Sequence, residues 1–186
     1  MKSPGCTKLH KSYFMIYRDA QLNDLKEIVA IYNSTIEGRM VTADTALVSE
    51  EDKLPWFHEH NSNTRPLWVV ADAGNIIGWV SFNNFYGRPA YQGTSELSIY
   101  LHTSSRGKGY GKKILKHCIN TAPSLQIHTI LGFIFSHNIP SIQLFKNAGF
   151  EEWANLKEVA RMDDKYYGLT IMGFKTSFNT IDFEEK

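Results

Sequence analysis

"ELSIYLHTSSRGKGYGKKILKHCIN", residues 96–120, changes character twice within one stretch. Its first seven residues alternate polar and apolar side chains and include aromatic and β-branched types, which reads as a strand over 96–102. Past the glycines, Ile114, Leu115, Cys118 and Ile119 recur at helical spacing and give a helix one apolar face, with Pro123 marking its end. Between the two lies "SSRGKGYGKK" (104–113), three glycines and four cations in ten residues. Gly107, Gly109 and Gly111 alternate, so a ligand can approach the backbone without meeting a side chain. The turn opens a helix, where unpaired N–H groups and the helix dipole favour an anion. From Thr103 to Gln126 there is no acidic residue, while Arg106, Lys108, Lys112, Lys113 and Lys116 are basic. A tight turn with solvated lysines is the plain alternative. The three features together favour a pyrophosphate cradle.

Two familiar phosphate motifs fail on the residues themselves. A Walker loop needs GxxxxGK[ST], but position 106 is arginine where the first glycine belongs and Lys113 stands where a hydroxyl is required. A dinucleotide fingerprint needs GxGxxG and an acid about 20 residues on. The spacing here is GxGxG, and Leu131 stands near the position of the acid.

The flanking sequence completes the pattern. "IYRDA" (16–20) is a short strand, and Leu22, Leu25, Ile28, Val29, Tyr32 and Ile36 mark a helix stopping near Gly38. Residues 39–49 read as a loop and 49–60 as a second helix. Two apolar runs between 66 and 85 are separated by Asp72-Ala73-Gly74-Asn75, a hairpin signal. After the central stretch come a strand at 127–135, a helix from Ile139 closed by Gly149, and an antiparallel pair around Asp163-Asp164. The order βααβββαβαββ describes one α/β sandwich of mixed sheet and helices. Residues 1–14 are expected to form a poorly ordered extension and 177–186 a tail, leaving 15–176 as the domain.

With 186 residues and a net charge of +1, the chain can bury a proper core and has no global field toward nucleic acid or membrane. Any anion preference is therefore local. Two cysteines, Cys6 and Cys118, lie too far apart for a disulfide framework or a metal site, which fits a reducing cytoplasm. The apolar runs are too short to span a bilayer, and the first residues lack a secretory h-region.

R-x-x-G-x-G, from Arg106 to Gly111, resembles the pyrophosphate motif of the GNAT acetyltransferases, and "HNIPSIQLFKNAGF" (137–150) resembles the second signature of that family. The resemblance covers about residues 15–176. It is nearest to the phosphinothricin and methionine sulfoximine N-acetyltransferases, through "IYNSTI" (31–36), "RPAYQGTSELSIYLH" (88–102) and "YYGLTIMGF" (166–174). It implies a mostly antiparallel GNAT-like sheet flanked by helices, and acetyl-CoA as co-substrate without a metal. It also implies a cytoplasmic enzyme, a homodimer, that acetylates a small-molecule amine, with neither nucleic acid nor membrane as partner.

The same resemblance carries roles to residues. Arg106, Gly107, Lys108, Gly109, Tyr110, Gly111 and Lys112 would hold pyrophosphate. Ile99, Tyr100 and Leu101 would meet the pantetheine arm and thioester carbonyl through their backbone. Asn138 and Ser141 would complete the cofactor site. Glu96, by itself a solvated strand-end glutamate, becomes the base that frees the acceptor amine. Period 2 places it on one face with Ser98 and Tyr100, and Leu97, Ile99 and Leu101 on the other. Arg88 and Tyr91 match an acceptor-pocket loop, where a guanidinium can pair bidentately with an acid group. Phe82, Phe85, Tyr86, Trp56, Tyr167 and the loop "EGRMVTADT" (37–45) are candidate walls.

One departure stands out. Phe145 occupies the position where many relatives have tyrosine or histidine as thiolate acid, and phenylalanine has no proton to donate. Tyr100 and His137 are alternative donors, and the acid is left unassigned. Two further functions also stay open: a GNAT enzyme for a protein N-terminus, polyamine or aminoglycoside, and a non-catalytic module binding acetyl-CoA or nucleic acid.

Overall fold

The computed structural model describes residues 15–176; the expected extension at 1–14, with Cys6, and the expected tail at 177–186 lie outside them. Seven strands form one sheet: β1 (Ile16–Asp19), β2 (Leu67–Asp72), β3 (Asn75–Asn84), β4 (Thr94–Leu101), β5 (Thr129–Phe135), β6 (Glu151–Met162) and β7 (Lys165–Lys175). Their spatial order is β1-β2-β3-β4-β5-β7-β6, and the pair β4–β5 alone is parallel. Helices α1 (Leu25–Asn33) and α2 (Glu50–His58) precede β2, α3 (Tyr110–Thr121) connects β4 to β5, and α4 (Ile139–Asn147) connects β5 to β6. This is the mixed, mostly antiparallel α/β fold expected from the sequence.

The sheet buries both faces, and β2 shows how. Leu67 and Val69 pack with Ile28, Ile31 and Tyr32 of α1, while Trp68 and Val70 pack with Ile114 and Leu115 of α3. Because successive side chains point to opposite faces, a strand with a core on each side reads as an unbroken apolar run, as "LWVVA" does.

Several boundaries differ from the sequence reading, three of them for a physical reason. Helix α1 ends at Asn33, before Gly38. The Ser34 and Thr35 hydroxyls donate to the carbonyls of Ile31 (2.6 Å) and Tyr32 (2.7 Å), competing with a further helical turn, and the left-handed residue is Arg39 at φ 50°. Strand β5 starts at Thr129, because Gln126 takes a left-handed φ of 60° and Ile127 bonds back to Ala122. Strand β4 starts at Thr94, so Glu96 is its third residue and is held in the ladder on both sides.

Candidate active site between the splayed strands

Pairing between β4 and β5 runs only from Thr94↔Thr129 to Glu96↔Leu131. Beyond that pair the strands part and a cleft of about 500 Å³ opens between Leu97–Leu101 and Gly132–Phe135. At its mouth stand Arg106, Gly107, Gly109, Gly111 and Lys112 from the turn, with Asn138 and Ser141 from the start of α4. Met40 and Val41 roof it.

Strand β4 presents its backbone to this space selectively. The His102 N–H donates to Ile77 O (2.9 Å), toward β3. Alternation along the regular β3–β4 ladder therefore turns the Tyr100 and Ser98 N–H groups toward β3, and those of Ile99 and Leu101 into the cleft. Of the three residues expected to act through backbone, two offer an open donor. Tyr100 contributes its side chain instead: its ring stacks on Trp79 (4.3 Å between centroids, 14°) and lines the cleft.

The turn leaves its backbone open at the start of α3. Gly107 (φ 73°) and Gly109 (φ 80°) are left-handed, and a Cβ added to either would project into open space rather than into protein. Gly109 caps α3, so the N–H groups of Tyr110, Gly111 and Lys112 stand at the helix start with no intrahelical acceptor. Arg106 closes the turn by donating from Nε to Leu101 O (3.1 Å) and from Nη2 to Ser34 Oγ (3.3 Å). Lys108 is exposed and does not line the cleft. The Tyr110 hydroxyl donates to Asp72, so this residue faces the turn through its backbone alone.

Glu96 is half-buried at the point where the strands separate. No donor among the described residues reaches its carboxylate, and burial raises its pKa. Its cross-strand neighbour Asn83 is fixed by accepting from Trp56 Nε1 (3.1 Å) and donating to Ser81 Oγ (3.2 Å).

Arg88 is exposed at the start of a short 3-10 turn, Pro89–Tyr91, and its guanidinium has no hydrogen-bond partner among the described residues. Tyr91 and Tyr86 cluster with Phe85, whose ring lies 6.4 Å from Phe133 in the cleft. Phe82 is a correction: it is wholly buried against Trp68 in the α3-side core and cannot wall a pocket. Tyr167 packs on Phe135 and His137.

The polar side chains around the cleft are largely committed. Asn138 Nδ2 donates to Met40 O (2.8 Å) while its Oδ1 accepts from Ser141 N (3.2 Å). His137 Nε2 lies 2.8 Å from Arg39 O, an acceptor, so it carries the proton and donates it there. Burial pushes the Tyr100 hydroxyl far above its usual pKa, which makes it a poor acid. Phe145 lies flat against β5, where a Cβ on Gly132 would sit 2.5 Å from its ring.

Sequence reasoning missed Arg65. It is almost fully buried, donates to the carbonyls of Thr64 (2.7 Å), Gln92 and Thr94 (3.3 Å), and so anchors the chain just before Glu96. The bonds to Gln92 and Thr94 reach backbone atoms distant in sequence, so no local pattern announces them.

The acetyltransferase (GNAT) domain family matches residues 18–171. The chain belongs to the GNAT acetyltransferases. It is 49% identical over 88% of its length to the whole of a Bacillus subtilis (strain 168) protein named "Putative phosphinothricin acetyltransferase YwnH". It is 30% identical to the L-methionine sulfoximine/L-methionine sulfone acetyltransferase of Pseudomonas paraeruginosa, over 83% of this chain and 91% of that one. The crystal structure of a GNAT phosphinothricin acetyltransferase from Sinorhizobium meliloti in complex with acetyl-CoA superposes with a TM-score of 0.81 at 27% identity, covering 88% of this chain and 89% of that one. The present GNAT chain is thus an acetyl-CoA-dependent N-acetyltransferase, which removes the non-catalytic reading. Among its described residues no helix is long and apolar enough to cross a membrane.

Proposed function

We propose that this enzyme transfers acetyl from acetyl-CoA to the α-amine of a small amino acid or analogue, of the phosphinothricin or methionine sulfoximine type, by direct attack in a ternary complex. The observation that carries the reading is a half-buried carboxylate with no hydrogen-bond partner among the described residues, its pKa raised by burial: Glu96, at the point where β4 and β5 part beside the cleft. Pyrophosphate lies on the turn at 107–112, and the pantetheine arm follows β4. The Ile99 and Leu101 N–H groups, facing the cleft, hold the arm and polarise the thioester carbonyl. Glu96 takes one proton from the acceptor ammonium, directly or through water, and the free amine attacks the carbonyl carbon. As the C–S bond breaks, the amide nitrogen releases its second proton to solvent water and CoA departs as thiolate, with Phe145 contributing no proton.

The names of the relatives support an amino-acid acceptor, and the unpaired Arg88 supports an acid group beside the amine. The same reading places the enzyme in the cytoplasm as a homodimer. Thiol release from acetyl-CoA, measured across amino acids, their decarboxylated amines and polyamines, tests it. Amino acids should outperform their decarboxylated counterparts by roughly tenfold or more, the strength of a charged hydrogen bond, and Arg88→Ala should abolish that advantage. If simple amines are the better substrates, the acceptor class is wrong.

A further inference from the structure

On the sheet face that carries Glu96, a second cavity of about 150 Å³ opens between α1, α2, β3 and β4. The rings of Tyr32, Trp56, Trp79 and Tyr100 wall it. Its polar groups include the hydroxyls of Ser81 and Ser98 and the ammonium of Lys53. Ser98 and Tyr100 line the cofactor cleft as well, so the two spaces adjoin. Alternation places Ser98 on the face of Glu96, about 7 Å farther along the strand.

Lys53 is only loosely neutralised. Its ammonium stands 3.9 Å from Asp44, a carboxylate already accepting from the Tyr32 hydroxyl (2.6 Å), and 4.2 Å above the Tyr32 ring. Ser81 Oγ accepts from Asn83 Nδ2, which leaves its own proton to donate. The cavity thus offers aromatic walls, hydroxyl donors and a cation, in a space equal to roughly five waters at about 30 Å³ each. That chemistry suits a short methylene stem ending in an anionic group.

We propose that this cavity receives the side chain of the acceptor, and that Lys53 sets a preference for a tail ending in a carboxylate or phosphinate over a neutral isostere. The inference rests on the amino-acid reading above. Glu96 then lies between two cations. Arg88 is in the loop before β4, on the side of the α-carboxylate, and Lys53 is beyond Ser98, on the side of the tail.

The test uses the full chain at saturating acetyl-CoA. It compares kcat/KM for glutamate against glutamine, and for phosphinothricin against methionine sulfone, in the wild type, Lys53→Gln and Lys53→Arg. The wild type should favour the acidic member of each pair. Lys53→Gln should cut the acidic-to-neutral ratio at least tenfold, chiefly through KM, and Lys53→Arg should retain most of it. A folding defect would lower both rates and leave the ratio alone, so the ratio isolates the charge. A wild type that acetylates amino acids with no acidic preference, or a ratio unmoved in Lys53→Gln, overturns this inference and spares the acceptor reading. A wild type that acetylates no amino acid overturns both.

Discussion

At Glu96 a carboxylate is partly withdrawn from water, and no donor among the described residues replaces the lost hydration, so its pKa stands above the ordinary value. A raised carboxylate pKa means that the folded state binds the proton more tightly than the unfolded chain. The charged form therefore weighs against folding, an effect absent at low pH that grows as pH rises through the raised pKa. The proposed catalytic role has the opposite requirement, because a general base works only when deprotonated. The acid limb of kcat/KM should lie above the ordinary carboxylate range, and Glu96→Gln should remove it. Near neutral pH the substitution should lower turnover by about 10²–10⁴-fold, the usual span for a lost general base, with acetyl-CoA binding little altered. The deficit should shrink at high pH, where the acceptor amine is already neutral, and thermal melts at neutral pH should show Glu96→Gln no less stable than wild type. A pH–rate profile unchanged by the substitution would return Glu96 to an ordinary strand position.

The element that announces itself most clearly is the turn into α3, because its requirements are local. Left-handed backbone at Gly107 and Gly109 and unpaired N–H groups at a helix start follow from neighbouring residues, and glycine is the residue that meets them. The second cavity gave no such sign: Lys53 and Trp56 come from α2, Trp79 and Ser81 from β3, Tyr100 from β4, and only tertiary packing joins them. The same holds for Arg65, and for the bond by which the Asn138 amide ties down the 37–45 loop at Met40 in addition to capping α4. The end of α1 falls before Gly38 for a different reason, since serine and threonine hydroxyls bonding backwards can stop a helix before any glycine does. For the turn itself the expectation is specific. Gly109→Val puts a β-branched side chain on a residue at φ 80° and points it into the open space where the proposed pyrophosphate would lie. The strain should cost about 1–3 kcal/mol of stability, which thermal unfolding would register as a modest shift. Acetyl-CoA affinity by calorimetry should fall much further, at least tenfold. Wild-type affinity in the folded variant would mean that pyrophosphate does not lie on this turn.

For the molecule as a whole, two cores on opposite faces of one sheet brace β4 from both sides, and this lets the strand part from β5 without losing its place. β3 supports its other edge along an unbroken register. The far end of the sheet is less protected. β6 is an edge strand of twelve residues with no further strand beside it among the described residues, and most of its positions are exposed. Leu156 (41% exposed) and Val159 (56%) lie on it, and Tyr166 (61%) follows in the same hairpin. Register shifts at Glu152/Ala154 and Leu156/Ala160 interrupt its ladder, which discourages open-ended strand addition while leaving the apolar side chains uncovered. A second copy of the chain packing on this hairpin would cover them and would close the assembly at two subunits. Sedimentation at micromolar concentration should then give about twice the 21.3 kDa chain mass. Leu156→Asp with Val159→Asp should shift the protein to monomer, because each buried carboxylate would meet an apolar surface with no partner. A wild type that sediments as monomer at these concentrations, or a double variant that stays dimeric, would place the contact elsewhere or remove it.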